Sequence, residues 1–476
     1  MTTTHHTTSN STQTRARRRT PRRFRSTLAM TTAGLLLFTG CATGSEAAAS
    51  KTTAADDADT SSLSASVTET DQSATSAETA DVDLFDSSVL HTISVDFDQA
   101  DYDAMIDTFT STGDKVRISA TVTIDGVMYE DVGLRLKGNS SLFGLTSATS
   151  GNPEDLPWLI RLNKFVDGED HQDYEEIVIR SNSTETALNE AVAQELLSLA
   201  GLASQNPIAT AFTVNSGETE LRLAVENPDE EWYEDNFSDE DGLLFKADSE
   251  GDYSYRGGDA EAYTDVFDQK VGDDDMQPLV DFLDFINNTD DATFTTDLSE
   301  QLDVEAFATY LAFQDLIGNA DDINGRGNNS YLQYDTTTEQ FTVVSWDLNL
   351  AFNTANVGGG GAGGVGGAGA GGVGGRPAGP PPDAAGAAGA AGGDGVGGPG
   401  DQANVLVDRF MADSDFAALY ASKTAELSEL LFASGTVDEV IANWADVLIT
   451  GASDLVSEAT VTAEVAALVS YVDGVR

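Results

Sequence analysis

Residues 319–347 read Asn319-Ala320-Asp321-Asp322-Ile323-Asn324-Gly325-Arg326-Gly327-Asn328-Asn329, then Tyr331 to Tyr334, a turn at Asp335 to Glu339, and Phe341 to Trp346 running into Asp347. The first part is a polar loop and the second a hairpin. A hairpin would return Asp347 close to the loop, so carboxylates and amides gather as hard oxygen ligands suited to Mg²⁺ or Ca²⁺. No twelve-residue ligand ladder with a terminal Glu fits, which excludes an EF-hand. Asp- and Asn-rich loops are also ordinary turn chemistry. The loop alone does not choose between the two.

Working outward, Leu302 to Gly318 carries a helical pattern that delivers the chain into this loop. Further upstream, Ile118 to Ile124 alternates, Asp125-Gly126 marks a tight turn, and Val127 to Lys137 continues as a second strand. On that strand Val132, Leu134 and Leu136 share one face, and Gly133, Arg135 and Lys137 share the other. Arg161 with Lys164, then Arg180, then Lys246 fall in further strand-like runs. Each alone reads as a solvated charge. Together, in so acidic a chain, they point to an anion site. A further helix is expected, capped by Asn182, three residues before Glu185, and ended by Gly201, with Leu188, Val192, Leu196 and Leu199 as its apolar stripe. On that spacing Glu195 faces inward, needing a cationic partner or a proton, while Glu190 points away.

The chain has 476 residues, 80 acidic and 24 basic, for a net charge of −56 and a pI near 4.1. Such a balance argues against nucleic acid as a partner, because a phosphate backbone recruits Lys and Arg. Apolar content of 40 % supplies at least one sizeable core. One cysteine excludes a disulfide framework and a cysteine zinc site, and four histidines leave little room for histidine metal chemistry.

Seven arginines from Arg15 to Arg25 precede an apolar run, Leu28 to Phe38, and then Cys41. Residues 1–41 read as a secretory signal, too short to span a membrane stably, whose end resembles a lipoprotein cleavage site with Cys41 as the lipidated residue. A plain signal peptide with an incidental cysteine is the alternative. Residues 42–83 are Ala, Ser, Thr and Asp, a composition expected of a tether. Residues 358–400 are nearly all Gly, Ala and Pro, expected as an insertion, since no Gly-Lys-Ser/Thr ending makes them a phosphate loop. The expectation is an exported protein, on the outer face of the membrane through a lipid anchor only, or extracellular.

Several segments, in order, resemble the spore-coat protein H (CotH) kinase family. They are Val132 to Ser141, Pro157 to Phe165, Leu188 to Leu197, Leu223 to Glu226, Gly242 to Lys246, Gly318 to Asp322, Asn328 to Tyr331, Ser345 to Asn349, and Asn404 to Leu431. The resemblance implies an α+β, atypical protein-kinase-like two-lobed fold, with a strand-rich N-terminal lobe and a helix-rich C-terminal lobe. It places the kinase-like domain at 84–435, followed by a helical segment at 436–476. It also implies a kinase using ATP and Mg²⁺, or Mn²⁺, to phosphorylate Ser or Thr of a surface or coat protein. Under it Asp321, with Asp322 as rival, would orient or deprotonate the acceptor hydroxyl. Asp347, helped by Asn329 or Asn328, would hold the metal. Glu195 would pair with a strand cation reaching the phosphates, for which Arg161, Lys164, Lys137 and Lys246 remain open, and Glu226 would lie at the crossover beside the nucleotide. The acidic surface suggests an acceptor serine in a basic setting. The alternative is a surface binding module that keeps the fold without turnover.

Overall fold

Asp125 and Gly126 both take left-handed backbone angles, φ 46° and 85°, and so turn the first hairpin as a tight two-residue loop. The structure is a computed structural model that describes residues 82–146, 150–249, 251–325, 329–352 and 404–476. The signal segment with Cys41, the tether up to residue 81, Asn328 and the 358–400 stretch lie outside the described residues.

The turn joins β2 (Ile118–Ile124) to β3 (Val127–Leu136), the start of a closed barrel. Its other strands are β1 (His91–Phe97), β4 (Trp158–Arg161), β5 (Glu176–Ile179), β6 (Pro207–Val214) and β7 (Thr219–Glu226). Their order is β1-β2-β3-β4-β5-β7-β6, antiparallel except at the parallel seam of β6 and β1. Inward residues alternate along each strand. Val132, Leu134, Leu136, Trp158, Ile160, Ile177, Ile179 and Phe212 fill one core, which α1 (Gln99–Thr112) joins through Tyr102, Met105 and Ile106.

Apart from Arg161 and Glu176 at one end, many outward residues of β4 to β7 are apolar too. Leu159, Val178, Ala209, Leu221, Leu223 and Val225 share a second core with α2 (Leu188–Leu199). The same core takes in residues of α9 (Thr436–Gly451) and α10 (Glu458–Val475). Burial on both faces explains why these strands read as nearly continuous apolar runs. Each buried Leu, Ile or Val contributes about 1.5–3 kcal/mol.

Beyond β7 the chain passes through α3 (Glu230–Asn236) into an antiparallel four-stranded sheet of order β11-β10-β8-β9. The strands are β8 (Leu243–Ala247), β9 (Phe267–Val271), β10 (Ser330–Asp335) and β11 (Gln340–Ser345). A third core lies between this sheet and the helices α4 (Gln277–Asn288), α5 (Asp291–Gln301), α6 (Val304–Leu316) and α7 (Val405–Ala412). The helix α8 (Ser414–Leu427) runs on into a π-helical turn, Ser428–Ala433.

The α+β class holds, and so does the hairpin after the polar loop. Among the described residues, seven strands lie before Asn227, and seven of the ten α-helices follow Val271. The N-terminal strands close into a barrel, and the expected strand at Leu243–Ala247 joins the expected hairpin and β9 in a second sheet. The core around α2 combines barrel strands with helices from the C-terminal end of the chain.

The expected stripe on α2 is also revised. Leu199 is exposed, whereas Asn189, Glu190 and Gln194 are buried with the apolar residues, and Glu195 is half-buried. With packing on more than one side, the helix has no single inward stripe for a period of 3.6 to reveal. Its C-terminus follows expectation. Gly201, at φ 78°, follows Ala200, and Leu202 N–H donates to Leu197 C=O, the hydrogen bond of a Schellman cap.

Candidate active site

The register of β3, β4 and β5 sets Gly133 beside Arg161 beside Glu176, and Arg135 beside Leu159 beside Val178. Antiparallel partners point to the same side of a sheet, so these residues share the outer face of the barrel. One row further, Lys137 N–H donates to Pro157 C=O, and Arg180 N–H donates to Leu223 C=O. The outer face therefore presents Arg135, Lys137, Arg161 and Arg180, with Glu176 among them.

Three of the protein's cations surround one indole. Lys137 Nζ lies 4.9 Å, Lys246 Nζ 5.5 Å and the Arg180 guanidinium carbon 5.6 Å from the centre of the Trp346 ring. Each distance is within the range of a cation–π contact. Trp346 follows β11 and packs edge-on against Tyr331 of β10. Burial lowers Lys246 to about 8, helped by the like charge of Lys270 and opposed by Asp347. Lys137 is held well below its ordinary value by burial and by Lys246. Lys137 donates to Asn227 Oδ1, and Asn227 Nδ2 donates to Glu176 at 2.6 Å.

Arg180 is the centre of the arrangement. Its side chain pairs with Glu190 on α2, Nε to Oε1 at 2.9 Å, and with the Asp347 carboxylate through Nη2. Glu190 is buried, and Asp347 is 27 % exposed at a left-handed φ of 57°. A non-glycine residue at that angle holds local strain, which clusters at functional sites. Burial pushes Glu190 up to about 7 against the pull of Arg180, with the Asp347 charge adding to the rise. The two carboxylates hold Arg180 in its charged form against the cost of burial.

Arg222 supports the same strand end from behind. It is buried on β7 and donates through Nε and Nη2 to the Arg180 carbonyl, and through Nη1 to the carbonyl of Glu154.

The expected partner of the strand cation was Glu195. The structure assigns that contact to Glu190, five residues earlier. Glu195 instead accepts from Trp444 Nε1 of α9 at 2.8 Å. Arg161 pairs with Glu176 at 3.3 Å, and Lys164 is exposed beside it. Glu226 is buried at the end of β7, accepts from Asn206 N–H at 2.8 Å, and is pushed up to about 7 by burial. It lines a small acidic cleft with Glu175, Glu176, Asp229 and Glu231.

At the end of α6, Gly318 turns the chain at φ 60° into the polar loop. Asn329 Nδ2 donates to Asp321 Oδ2 at 3.0 Å. Asp322 Oδ1 accepts from Asn324 N–H at 2.9 Å, a local turn contact. A chain of buried side chains reaches this loop from α2. Gln194 donates to Gln205 at 3.1 Å, Gln205 to the Ser345 carbonyl at 3.4 Å, Gln314 to Ser345 Oγ at 2.9 Å, and Asn319 to Gln314 at 2.9 Å. Ser345 stands two residues before Asp347, so one polar network braces both the loop and the carboxylate. Among the described residues, no group of three or more His, Cys, Asp or Glu side chains could hold a metal ion.

The family described as CotH kinase protein matches residues 134–466. The chain belongs to the CotH kinase family. No curated protein matches it. The CotH match begins in β3 and ends in α10, so it encloses Arg180, Glu190, the 319–329 loop and Asp347. Reading the sequence missed Glu190 and left Arg180 as one cation among several. No spacing signal separates the two acidic residues of α2, since Glu195 stands one turn from buried Ala191 just as Glu190 stands one turn from buried Ala187 and Ala193.

Proposed function

We propose that this CotH family member is an exported, membrane-anchored atypical protein kinase. It would transfer the γ-phosphoryl group of ATP to Ser or Thr of a surface or coat protein. The observation that carries this reading is Arg180, joined to a helix carboxylate, Glu190, and to the carboxylate after the hairpin, Asp347. Kinases place a strand cation, a helix carboxylate and a metal-holding aspartate in this relation. The barrel then serves as the nucleotide-binding lobe of a two-lobed arrangement.

Lys137, Lys246 and Arg180 supply positive charge for the phosphates, held in place by Trp346 and Glu190. Arg180 stands where kinases use Lys, and its planar guanidinium can engage a carboxylate and a phosphate oxygen together. Asp321 orients or deprotonates the acceptor hydroxyl, with Asn329 fixing its rotamer. Asp347 and Asn329 offer one carboxylate and one amide oxygen. That donor set fits Mg²⁺, or Mn²⁺, in the mode completed by phosphate oxygens, not an all-protein cage. Such an ion would neutralise charge developing on the transferred group. Catalysis is otherwise positioning and electrostatic stabilisation. The arginine-rich start, apolar run and Cys41 support export and a lipid anchor. The net charge of −56 supports an acceptor in a basic setting and argues against nucleic acid.

One observation favours a second reading, a binding module without turnover: Asp347 is engaged by Arg180 rather than open toward a metal. Labelled ATP with Mg²⁺ or Mn²⁺ and a basic Ser-rich acceptor separates the two. Label transfer that vanishes in Asp347→Ala supports the kinase. Absence of metal-dependent ATP binding by calorimetry supports the module.

A further inference from the structure

Apart from the cations around Trp346, the outer face of the barrel carries a second basic group. The register sets Arg117, the residue before β2, opposite Arg135, because Ile118 pairs with Leu134. Arg161 lies on the next strand, with Lys164 just beyond it. Glu176 is the carboxylate in their midst, and its Oε1 accepts from Arg117 at 3.5 Å and from Arg161 at 3.3 Å. Arg135 has no carboxylate within 4 Å among the described residues, and its guanidinium reaches only the Leu136 carbonyl at 3.4 Å. Arg117 Nη1 is buried without a hydrogen-bond partner among the described residues. A buried guanidinium donor left open costs free energy unless a ligand meets it.

The cluster is built into the strands rather than scattered over the surface. Gly133 lies under it, and a Cβ there would overlap the Lys164 stem and stand 3.5 Å from Arg117 Cδ. The missing side chain is what lets the two cationic stems cross the sheet. Burial and the neighbouring guanidinium of Arg135 lower Arg117 to about 10, the signature of like charges held together. In a chain of net charge −56, four cations gathered on one sheet face, two of them paired with Glu176 at the rim of the acidic cleft, mark a place where an anion is wanted.

We propose that Arg117, Arg135, Arg161 and Lys164 form a second anion site that takes a phosphate monoester dianion, carried on a phosphoserine or phosphothreonine of a bound polypeptide. Arg180 lies four residues along β5 from the Glu176 row, about 13 Å at strand spacing. Lys137 of the first group stands only two residues along β3 from Arg135 and reaches Glu176 through Asn227, so the two basic groups adjoin, and competition with ATP·Mg²⁺ decides whether they serve different phosphates. Guanidinium forks match the oxygens of a monoester, as in other phosphopeptide readers. The source of the phosphorylated chain rests on the kinase reading, whose own product has this chemistry. The binding itself requires neither ATP nor a metal.

The test is calorimetric titration of the full chain, without ATP or divalent cations, using a serine peptide, its phosphoserine form and inorganic phosphate. The phosphoserine form is expected to bind at least tenfold more tightly than the serine form, with the preference falling steeply as salt rises. Arg135→Gln and the exposed Lys164→Gln should each reduce that preference at least fivefold. Glu176→Gln should increase it, a change of opposite sign that loss of structure does not produce. Inorganic phosphate as tight as the phosphopeptide assigns the ligand to solution. Phosphate tenfold weaker assigns it to a protein; both keep the site. Equal affinity for the two peptides, or displacement of the phosphopeptide by ATP·Mg²⁺, overturns the proposal. Neither result touches the kinase reading, which is decided by ATP binding and label transfer.

Discussion

Arg180 Nε lies 2.9 Å from Glu190 Oε1, so the end of β5 is fastened to the first turn of α2 by a buried ion pair. The same guanidinium also holds Asp347. Barrel, helix and the segment after the hairpin therefore meet on one side chain.

Removing Glu190 should be costly. Glu190→Ala leaves Arg180 with one carboxylate in a buried site, and loss of one partner of a buried pair costs about 3–5 kcal/mol. Glu195→Ala loses a single hydrogen bond to Trp444, worth about 1 kcal/mol. Urea unfolding of the two variants should show this order. Equal losses would return Glu195 to the central role.

The two loop and hairpin aspartates should separate binding from transfer. Asp321→Asn keeps the Asn329 contact and should leave nucleotide affinity within a few-fold while lowering transfer about 10²–10⁴-fold. Asp347→Ala should remove metal-dependent nucleotide binding. Calorimetry alongside label transfer reads both, and reversed phenotypes would exchange the assigned roles.

Stability should depend on pH through His91. Burial disfavours its charge, but the Asp125 carboxylate, 2.7 Å from Nδ1, raises it above its ordinary 6.5 overall. Its contribution is therefore complete below pH 6.5 and is lost as pH rises through the higher folded value. Asp125 is lowered by the same contact despite burial, so its share is present above pH 3.8 and lost as pH falls through its folded value. The Tm advantage of wild type over His91→Gln should be largest near pH 5–6 and shrink toward pH 9. A constant difference would contradict the ion pair.

Gly318 marks where the C-terminal helix touches the loop. A Cβ there would overlap the Tyr471 ring, whose hydroxyl donates to the Leu316 carbonyl at 3.1 Å. Gly318→Ala adds this clash to a left-handed φ and should destabilise by about 1–3 kcal/mol. Because Asn319 and Asp321 follow directly, transfer should fall more than nucleotide affinity does. Thermal unfolding with separate binding and transfer assays tests this.

Local pattern made much of this legible. The Asp125-Gly126 turn, the alternation of β3 and the loop–hairpin–Asp347 order are short-range features, and the structure contains them. Arg135 and Lys137 read as a basic strand face, and they are one. Barrel closure was hidden because the pairing of β1 with β6 joins residues more than a hundred positions apart. The role of α2 was hidden for a different reason. Periodicity assumes one buried face, and this helix is covered by the barrel on one side and by the C-terminal helices on another. A buried polar residue such as Glu190 then leaves no trace in spacing, since its partner Arg180 is supplied by tertiary contact alone.

The ring of cations around Trp346 also gives the protein an optical property. Only four tryptophans occur in the chain, and among the described residues Trp346 alone is flanked by three positive charges. Indole emission responds to the field across its ring. A polyphosphate drawing Lys137, Lys246 and Arg180 toward itself would change that field at one fluorophore. The molecule thus carries its own unlabelled reporter of site occupancy, readable in a cuvette before any substrate is known.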